Sequence, residues 1–431
     1  MAFVLVCGMA AAQAPHTAID FTRTPAAARA SEHFNADAAT EAYMALIPAA
    51  DRGRSDAYFE GGYWLQLWGF LFACAVSLAL LEFGISARMR NLTERITRRP
   101  RLQTFLYWVQ YFALTIIVGF PLGYYEGFIR ERQYGLATQN FAGWLRDEMV
   151  GDAVGLVLGG LAVVGLFALV RRLKRSWWAW GAVATVVFFI LVIGIAPVFI
   201  QPLFNTIKPL HDLRITDPIL SMARANGIPA RDVYQIDASR QTTRISANVS
   251  GFGATTRITL NDNLLRRGSP EEIHAVMGHE MGHYVMHHIP LQILQLSILV
   301  VLSFAFAYWA VGRLLRWRGA RWGIREVADP AVLPLAVLIF SILAFVLTPV
   351  TNTIVRTQET EADTFGLNAA RQPDGFAQAA LQLSEYRKMR PGPVEEFLFY
   401  DHPSGYERIH AAMVWKAENL RTPAVPCAAA R

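Results

Sequence analysis

His279-Glu280-Met281-Gly282-His283 is the stretch whose residue types and spacing can do chemistry. On a helix, positions four apart share one face, one turn above the other, so both imidazoles can point at a single metal ion. Glu280 follows the first histidine directly and can reach a water on that metal. Two histidines, a third protein ligand and an open water position make up a catalytic zinc site. The metal lowers the pKa of the water, and the glutamate takes its proton as it attacks a carbonyl. One Zn²⁺ per chain is expected. His274, His287 and His288 stand nearby and are not assigned as ligands. His287 lies four beyond His283, but that shifted pair has no glutamate between its members.

The third ligand is sought in Arg356-Thr357-Gln358-Glu359-Thr360-Glu361-Ala362-Asp363. Glu359 and Asp363 are four apart and share a helix face, so Glu359 is assigned as ligand and Asp363 as the carboxylate that orients a ligand histidine. Glu361 remains the competing ligand. His402, fixed before Pro403, could donate to the oxyanion of a tetrahedral intermediate; from spacing alone a surface histidine is the plainer reading.

The elements that position these groups begin with the motif's own helix. Ser269-Pro270-Glu271-Glu272 reads as its start, with an N-cap serine, proline in the first turn and acids near the positive end of the dipole. A soluble stretch leads into it. A short helix over 215–226 ends at Gly227, and residues 233–237 and 255–260 read as strands. Between those strands lies the turn-rich segment 246–253. A strand edge beside a metal helix can hold an extended substrate by main-chain hydrogen bonds, and 247–253 is assigned that role, with a plain hairpin as the alternative.

The rest of the chain is greasy, with 53% hydrophobic and 17% charged residues over 431. Six uncharged or nearly uncharged runs have spanning length: 64–86, 104–128, 153–170, 176–200, 289–312 and 330–355. The fold class read from this is mainly α, a polytopic membrane protein carrying an α+β zincin-like catalytic domain. Its parts are a signal or anchor segment 1–14, an extramembrane segment 15–62, four spans within 63–200, catalytic residues 201–288, two spans within 289–355 and catalytic residues 356–431. Three scattered cysteines imply neither a disulfide framework nor a cysteine metal site.

The net charge of +6 is concentrated in loops. Arg88, Arg90, Arg95, Arg98, Arg99 and Arg101 follow the first span; Arg171, Arg172, Lys174 and Arg175 separate the third and fourth; Arg313, Arg316, Arg318, Arg321 and Arg325 separate the last two. Six spans place these loops on one side, which the positive-inside rule makes the cytoplasm. Topology explains the arginines more simply than nucleic-acid binding does. Both catalytic parts then face the opposite side, the periplasm of a bacterial inner membrane.

In sequence order, these residues resemble the integral-membrane zinc metallopeptidases of the CAAX prenyl protease type I kind. The core from Gly278 to His283 resembles that family's GHExGH, and Arg356-x-x-Glu359-x-x-Ala362-Asp363 its RxxE(F/Y)xAD, with Thr360 at the aromatic position. Ser246-Ala247-Asn248 with Gly253 is similar to its SNAYxxG strand, with Val249 and Ser250 for Ala-Tyr. His402-Pro403 with Arg408 resembles its HPPxxxR, with Ser404 for the second proline. Residues 200–205 with Pro209-Leu210 resemble IxPLFN…PL, and 132–136 with Gln139 resemble HGFxxQ.

The resemblance implies zinc on His279, His283 and Glu359, Glu280 as base, His402 as a transition-state or substrate contact, and Asn248 and Arg408 as substrate-binding residues. It also implies spans enclosing a membrane chamber. The family has seven spans against six here, and its eukaryotic members keep the site cytosolic. The reading is therefore a membrane endopeptidase cutting membrane-associated or exported proteins, with no obligate protein partner. The alternatives are a non-catalytic chaperone of the same fold and CaaX-type processing of lipidated peptides.

Overall fold

The computed structural model describes residues 21, 23–251 and 256–419. The expected signal segment 1–14 and Gly253 lie outside the described residues. Among those described, six helices are long and apolar enough to cross a membrane: Ala49–Glu82, Pro100–Gln133, Phe141–Arg172, Trp177–Phe204, His288–Trp322 and Pro330–Ala370. Their large apolar side chains are widely exposed, among them Trp68, Ile117, Leu161, Leu294, Trp309 and Val346. Such faces suit lipid, and a helix satisfies its own backbone groups there.

In chain order the helices are α1 (Ala36–Met44), α2 (Ala49–Glu82), α3 (Ile85–Ile96), α4 (Pro100–Tyr124), the one-turn α5 (Glu131–Gln133), α6 (Phe141–Arg172), α7 (Trp177–Ile195) and α8 (Gln201–Phe204). Then come β1 (Ile207–Pro209), α9 (Leu213–Ala225), β2 (Val233–Ile236), β3 (Ala247–Ser250) and β4 (Arg257–Asn261). The chain closes with α10 (Asp262–Arg267), α11 (Pro270–Val285), α12 (His288–Trp322), α13 (Leu333–Ala370), α14 (Pro373–Gln382), α15 (Pro393–Phe399) and α16 (Gly405–Asn419). The strands form one sheet in the order β1-β2-β4-β3. β2 and β4 run parallel, and β1 and β3 are antiparallel to their neighbours. β3 is therefore an edge, in register Ala247 with Leu260 and Asn248 with Thr259.

Several helices outrun the bilayer. A 34-residue helix such as α2 is about 51 Å long, against about 30 Å of hydrocarbon. The N-terminal half of α2 rises into the catalytic part: the Ser55 hydroxyl donates to the Arg387 carbonyl at 2.8 Å, and the Tyr63 hydroxyl to Glu395 at 2.9 Å. The 38-residue α13 likewise continues from a span into the site without a break, so the boundary drawn from sequence at 355/356 falls inside one helix. The segment before the first span is also structured: Tyr43 of α1 is fully buried with Leu381, Ile409 and Met413 from α14 and α16.

At the opposite ends of the spans two of the three arginine loops are tied together. Arg90 pairs with Asp329 in a buried contact and donates to the Gly323 carbonyl at 2.9 Å. Arg325 forks onto Glu94 at 2.6 and 3.0 Å, and Arg321 reaches Glu82 at 2.7 Å. The loops that follow α2 and α12 thus lie on one face, away from the sheet.

Candidate metal centre

α11 starts as its sequence dictates. The Ser269 hydroxyl accepts from the Glu272 backbone at 3.2 Å while Glu272 accepts from the Ser269 backbone at 2.6 Å, a reciprocal cap. The helix crosses α13 at very short range, and glycine makes this possible. A Cβ on Gly366 would lie 2.7 Å from the His279 backbone nitrogen, and one on Gly278 would lie 2.9 Å from the Gly366 carbonyl oxygen. The glycine flanking the motif is therefore a packing requirement, since it lets α13 deliver a carboxylate to the two imidazoles.

Nε2 of His279 and Nε2 of His283 are 3.1 Å apart. Glu359 places Oε2 3.3 Å from the first and Oε1 3.4 Å from the second. A tetrahedral zinc site with bonds near 2.05 Å requires ligand-to-ligand edges of about 3.3 Å. Glu359 Oε2 is buried and accepts no hydrogen bond, as an oxygen meant for a cation would. The donor set of two imidazoles and a carboxylate fits zinc. Among the described residues these three form the one group whose ligand atoms converge for a metal.

Each histidine is held from behind. His279 Nδ1 donates to Asp363 at 2.7 Å, and Asp363 is gripped by Arg408 at 2.5 and 2.9 Å. His283 Nδ1 lies 2.9 Å from His288 Nδ1, and His288 Nε2 lies 3.1 Å from Glu361. Directed outward, donation from His283 to His288 and from His288 to Glu361 leaves Nε2 of His283 as a bare lone pair.

Electrostatics agrees with a cation-seeking site. Burial lowers the His279 pKa, but Asp363 and Glu359 outweigh it and hold it up at about 10. Burial and the neighbouring His279 push His283 down to about 4, keeping it neutral. Glu359 stays below the usual carboxylate range despite burial, because the imidazoles of His279, His402 and His283 surround it. Burial and the nearby carboxylates Glu359 and Asp363 raise Glu280 to about 7, with His279 and Arg408 opposing.

These groups line a cavity of about 290 Å³ that includes Ile245, Ser246, Ala247, His279, Glu280, Glu359, Tyr386, Arg387, His402 and Arg408. His402 turns Nε2 to within 3.3 Å of Glu359, and its Nδ1 lies 2.8 Å from Asp401. Arg356 holds that loop by donating to the Glu396 and Tyr400 carbonyls at 3.0 and 2.5 Å.

Residues 209–416 match the family model described as Peptidase family M48, and residues 33–206 match one described as CAAX prenyl protease N-terminal, five membrane helices. In 33–206 this chain has four helices of spanning length. The chain is 30% identical to the uncharacterized metalloprotease YhfN of Bacillus subtilis, over 80% of this chain and 82% of that one. The chain belongs to peptidase family M48. This M48 peptidase is also 27% identical to CAAX prenyl protease 1 of Saccharomyces cerevisiae, over 69% of each chain. Its fold matches the crystal structure of S. mikatae Ste24p with a TM-score of 0.72 at 22% identity, covering 85% of this chain and 89% of that one. It is a membrane metalloprotease similar to CAAX prenyl proteases.

Most residues singled out from the M48 peptidase's sequence meet here: His279, Glu280, His283, Glu359, Asp363 and His402. His402 faces the cavity, unlike the surface histidine that spacing alone favours. Glu361 supports His288 and is not beside the ligand imidazoles. Arg408 lines the cavity, but its guanidinium is engaged by Asp363. Asn248 is exposed on β3, one residue beyond the cavity wall. His287 is a turn residue with φ +56°. His288, Tyr386 and Arg387 were not picked out as site residues from sequence. For His288 the available signal was its place five residues beyond His283.

Proposed function

We propose that this metalloprotease is a zinc endopeptidase that cuts membrane-associated or exported proteins on the periplasmic side of a bacterial inner membrane. The observation that carries the reading is the triangle of His279, His283 and Glu359, with edges of 3.1 to 3.4 Å and Glu280 on the next position of the helix. When bound, zinc would polarise the scissile carbonyl and ease deprotonation of water.

The chain's own groups do the rest. Glu280 accepts the proton of the attacking water and carries it to the leaving amine. His402, oriented through Nδ1 by Asp401, directs Nε2 toward the ligand carboxylate, where it can donate to the developing oxyanion. Arg408 acts through Asp363, keeping His279 oriented. Among the described residues β3 is the edge of the sheet beside the cavity, suited to an extended peptide.

The names of the curated relatives favour a second reading, processing of prenylated CaaX peptides. The tied arginine loops favour the first, since the positive-inside rule assigns the catalytic face to the non-cytoplasmic side. The test is Glu280→Gln, compared with wild type by zinc analysis and by proteomics of accumulating precursors. Retained zinc, lost cleavage and accumulating membrane or exported precursors are expected. Unchanged cleavage would refute Glu280 as base, and accumulation of prenylated precursors would select the second reading.

A further inference from the structure

Two sequence motifs remain without a role in the chemistry: the segment 132–139 after the second span, and Asn205 at the entry to the catalytic part. They meet at one place. The loop between the second and third spans pairs with the backbone leading into β3. Thr138 N donates to the Gln241 carbonyl at 3.1 Å, Thr243 N to the Leu136 carbonyl at 3.0 Å, and Ala137 and Thr242 form an antiparallel bridge.

A membrane-side carboxylate pins each flank of this short ladder. On one flank Asp147 of α6 accepts from Gln139 at 2.5 Å and from Gln241 at 2.9 Å, and Gln241 in turn accepts from Asn205 at 3.0 Å. On the other, Glu131 of α5 accepts from Tyr58 of α2 at 2.5 Å and from Arg244 at 2.8 Å, while Arg244 also donates to the Tyr58 hydroxyl at 2.7 Å. The Arg244 guanidinium lies 5.2 Å from the ring of Tyr386, a cavity-wall residue. The Arg244 carbonyl accepts from Asn261 at 2.8 Å and Asn263 at 3.0 Å. The next three residues, Ile245, Ser246 and Ala247, form the cavity wall and start β3.

We propose that this junction of α2, α5 and α6 with residues 241–244 sets the position of the β3 edge against the metal ligands, making Arg244, Glu131, Asp147 and Gln241 positioning residues for extended peptide. The proposal rests on the peptidase reading above. An edge strand lends main-chain groups at alternate residues, so a slip of one residue presents the wrong groups. The ligand helices α11 and α13 are packed on each other through glycine, and none of the junction hydrogen bonds above runs to either of them. Loosening the junction therefore weakens a contact made equally in the bound substrate and in the transition state, which raises KM and spares kcat.

The test uses the full-length, zinc-loaded chain in detergent, with fluorescein-labelled casein as substrate. Arg244→Met and Asp147→Ala each remove charged hydrogen bonds, so KM should rise about tenfold with kcat nearly unchanged. Zinc content stays at the wild-type value, and Arg244→Lys restores part of the loss. A wild-type KM in both variants, or a fall in kcat at unchanged KM, overturns the proposal. If Arg244→Met does not fold, Gln241→Ala, which removes the hydrogen bonds to Asp147 and from Asn205, reads the same ratio. Binding of the labelled casein, measured by anisotropy in a Glu280→Gln background, separates this test from the functional reading. Absence of wild-type cleavage counts against the peptidase. An unchanged dissociation constant on adding Arg244→Met counts against the junction.

Discussion

The two histidines proposed as ligands sit one helical turn apart, yet their supports differ. His279 leans on Asp363, whose side chain is 6% exposed and doubly held by Arg408. His283 leans on His288, which is buried, but the line ends at Glu361, 46% exposed on the rim. Both supports fix a tautomer and a ring direction. One does so with a buried charge pair, the other with an imidazole that hands off to a screened carboxylate. Burial raises the cost of losing a partner, so the two halves of the site should fail to different degrees.

The largest effect is expected on the inner side. Asp363→Ala leaves Arg408 buried without its partner and costs about 3–5 kcal/mol in stability. It also frees His279, so zinc affinity falls by about 100-fold, measured by chelator competition. On the outer side His288→Ala should weaken zinc by about tenfold at nearly unchanged thermal stability, and Glu361→Gln should do less still. Equal losses for Asp363→Ala and His288→Ala would remove the distinction between the two supports.

The smallest effect sharpens the comparison by its sign. Asp363 has a cationic partner and is held below the usual range despite burial, so its contribution is lost as pH falls. Glu396 faces Glu407, and burial with that neighbour pushes it up to about 7. Its folded pKa exceeds the unfolded one, so stability is full below about pH 4.5 and is lost as pH rises through 7. Glu396→Gln should flatten the fall in melting temperature between about pH 5 and 8; an unchanged slope would mean the pair carries no shared proton.

Much of the site was legible because its grammar is local. The four-residue step of His279 and His283, and the same step between Glu359 and Asp363, need only helical periodicity. The six spans were legible because lipid demands long apolar runs; residues 246–253 read as turn-rich, and their first half is strand β3 because it pairs with β4. What was hidden depends on contacts or turns that periodicity does not encode. His288 returns toward His283 only because His287 takes a left-handed conformation, with φ +56°, that breaks α11 from α12. Tyr386 and Arg387 reach the cavity through tertiary packing about a hundred residues from the motif. The pairing of 136–138 with 241–243 joins segments whose local patterns do not point at each other. Arg408 carried a motif match without its geometry: the sequence offered a substrate contact, and burial beside Asp363 engages its guanidinium with that carboxylate.

The triangle of His279, His283 and Glu359 is tested most directly by zinc-edge X-ray absorption of the purified full-length chain with and without Glu359→Ala. It predicts one zinc per chain with nitrogen and oxygen neighbours near 2.0–2.1 Å, and loss of most of that zinc in the variant. Full zinc occupancy with an unchanged ligand shell in Glu359→Ala would contradict it.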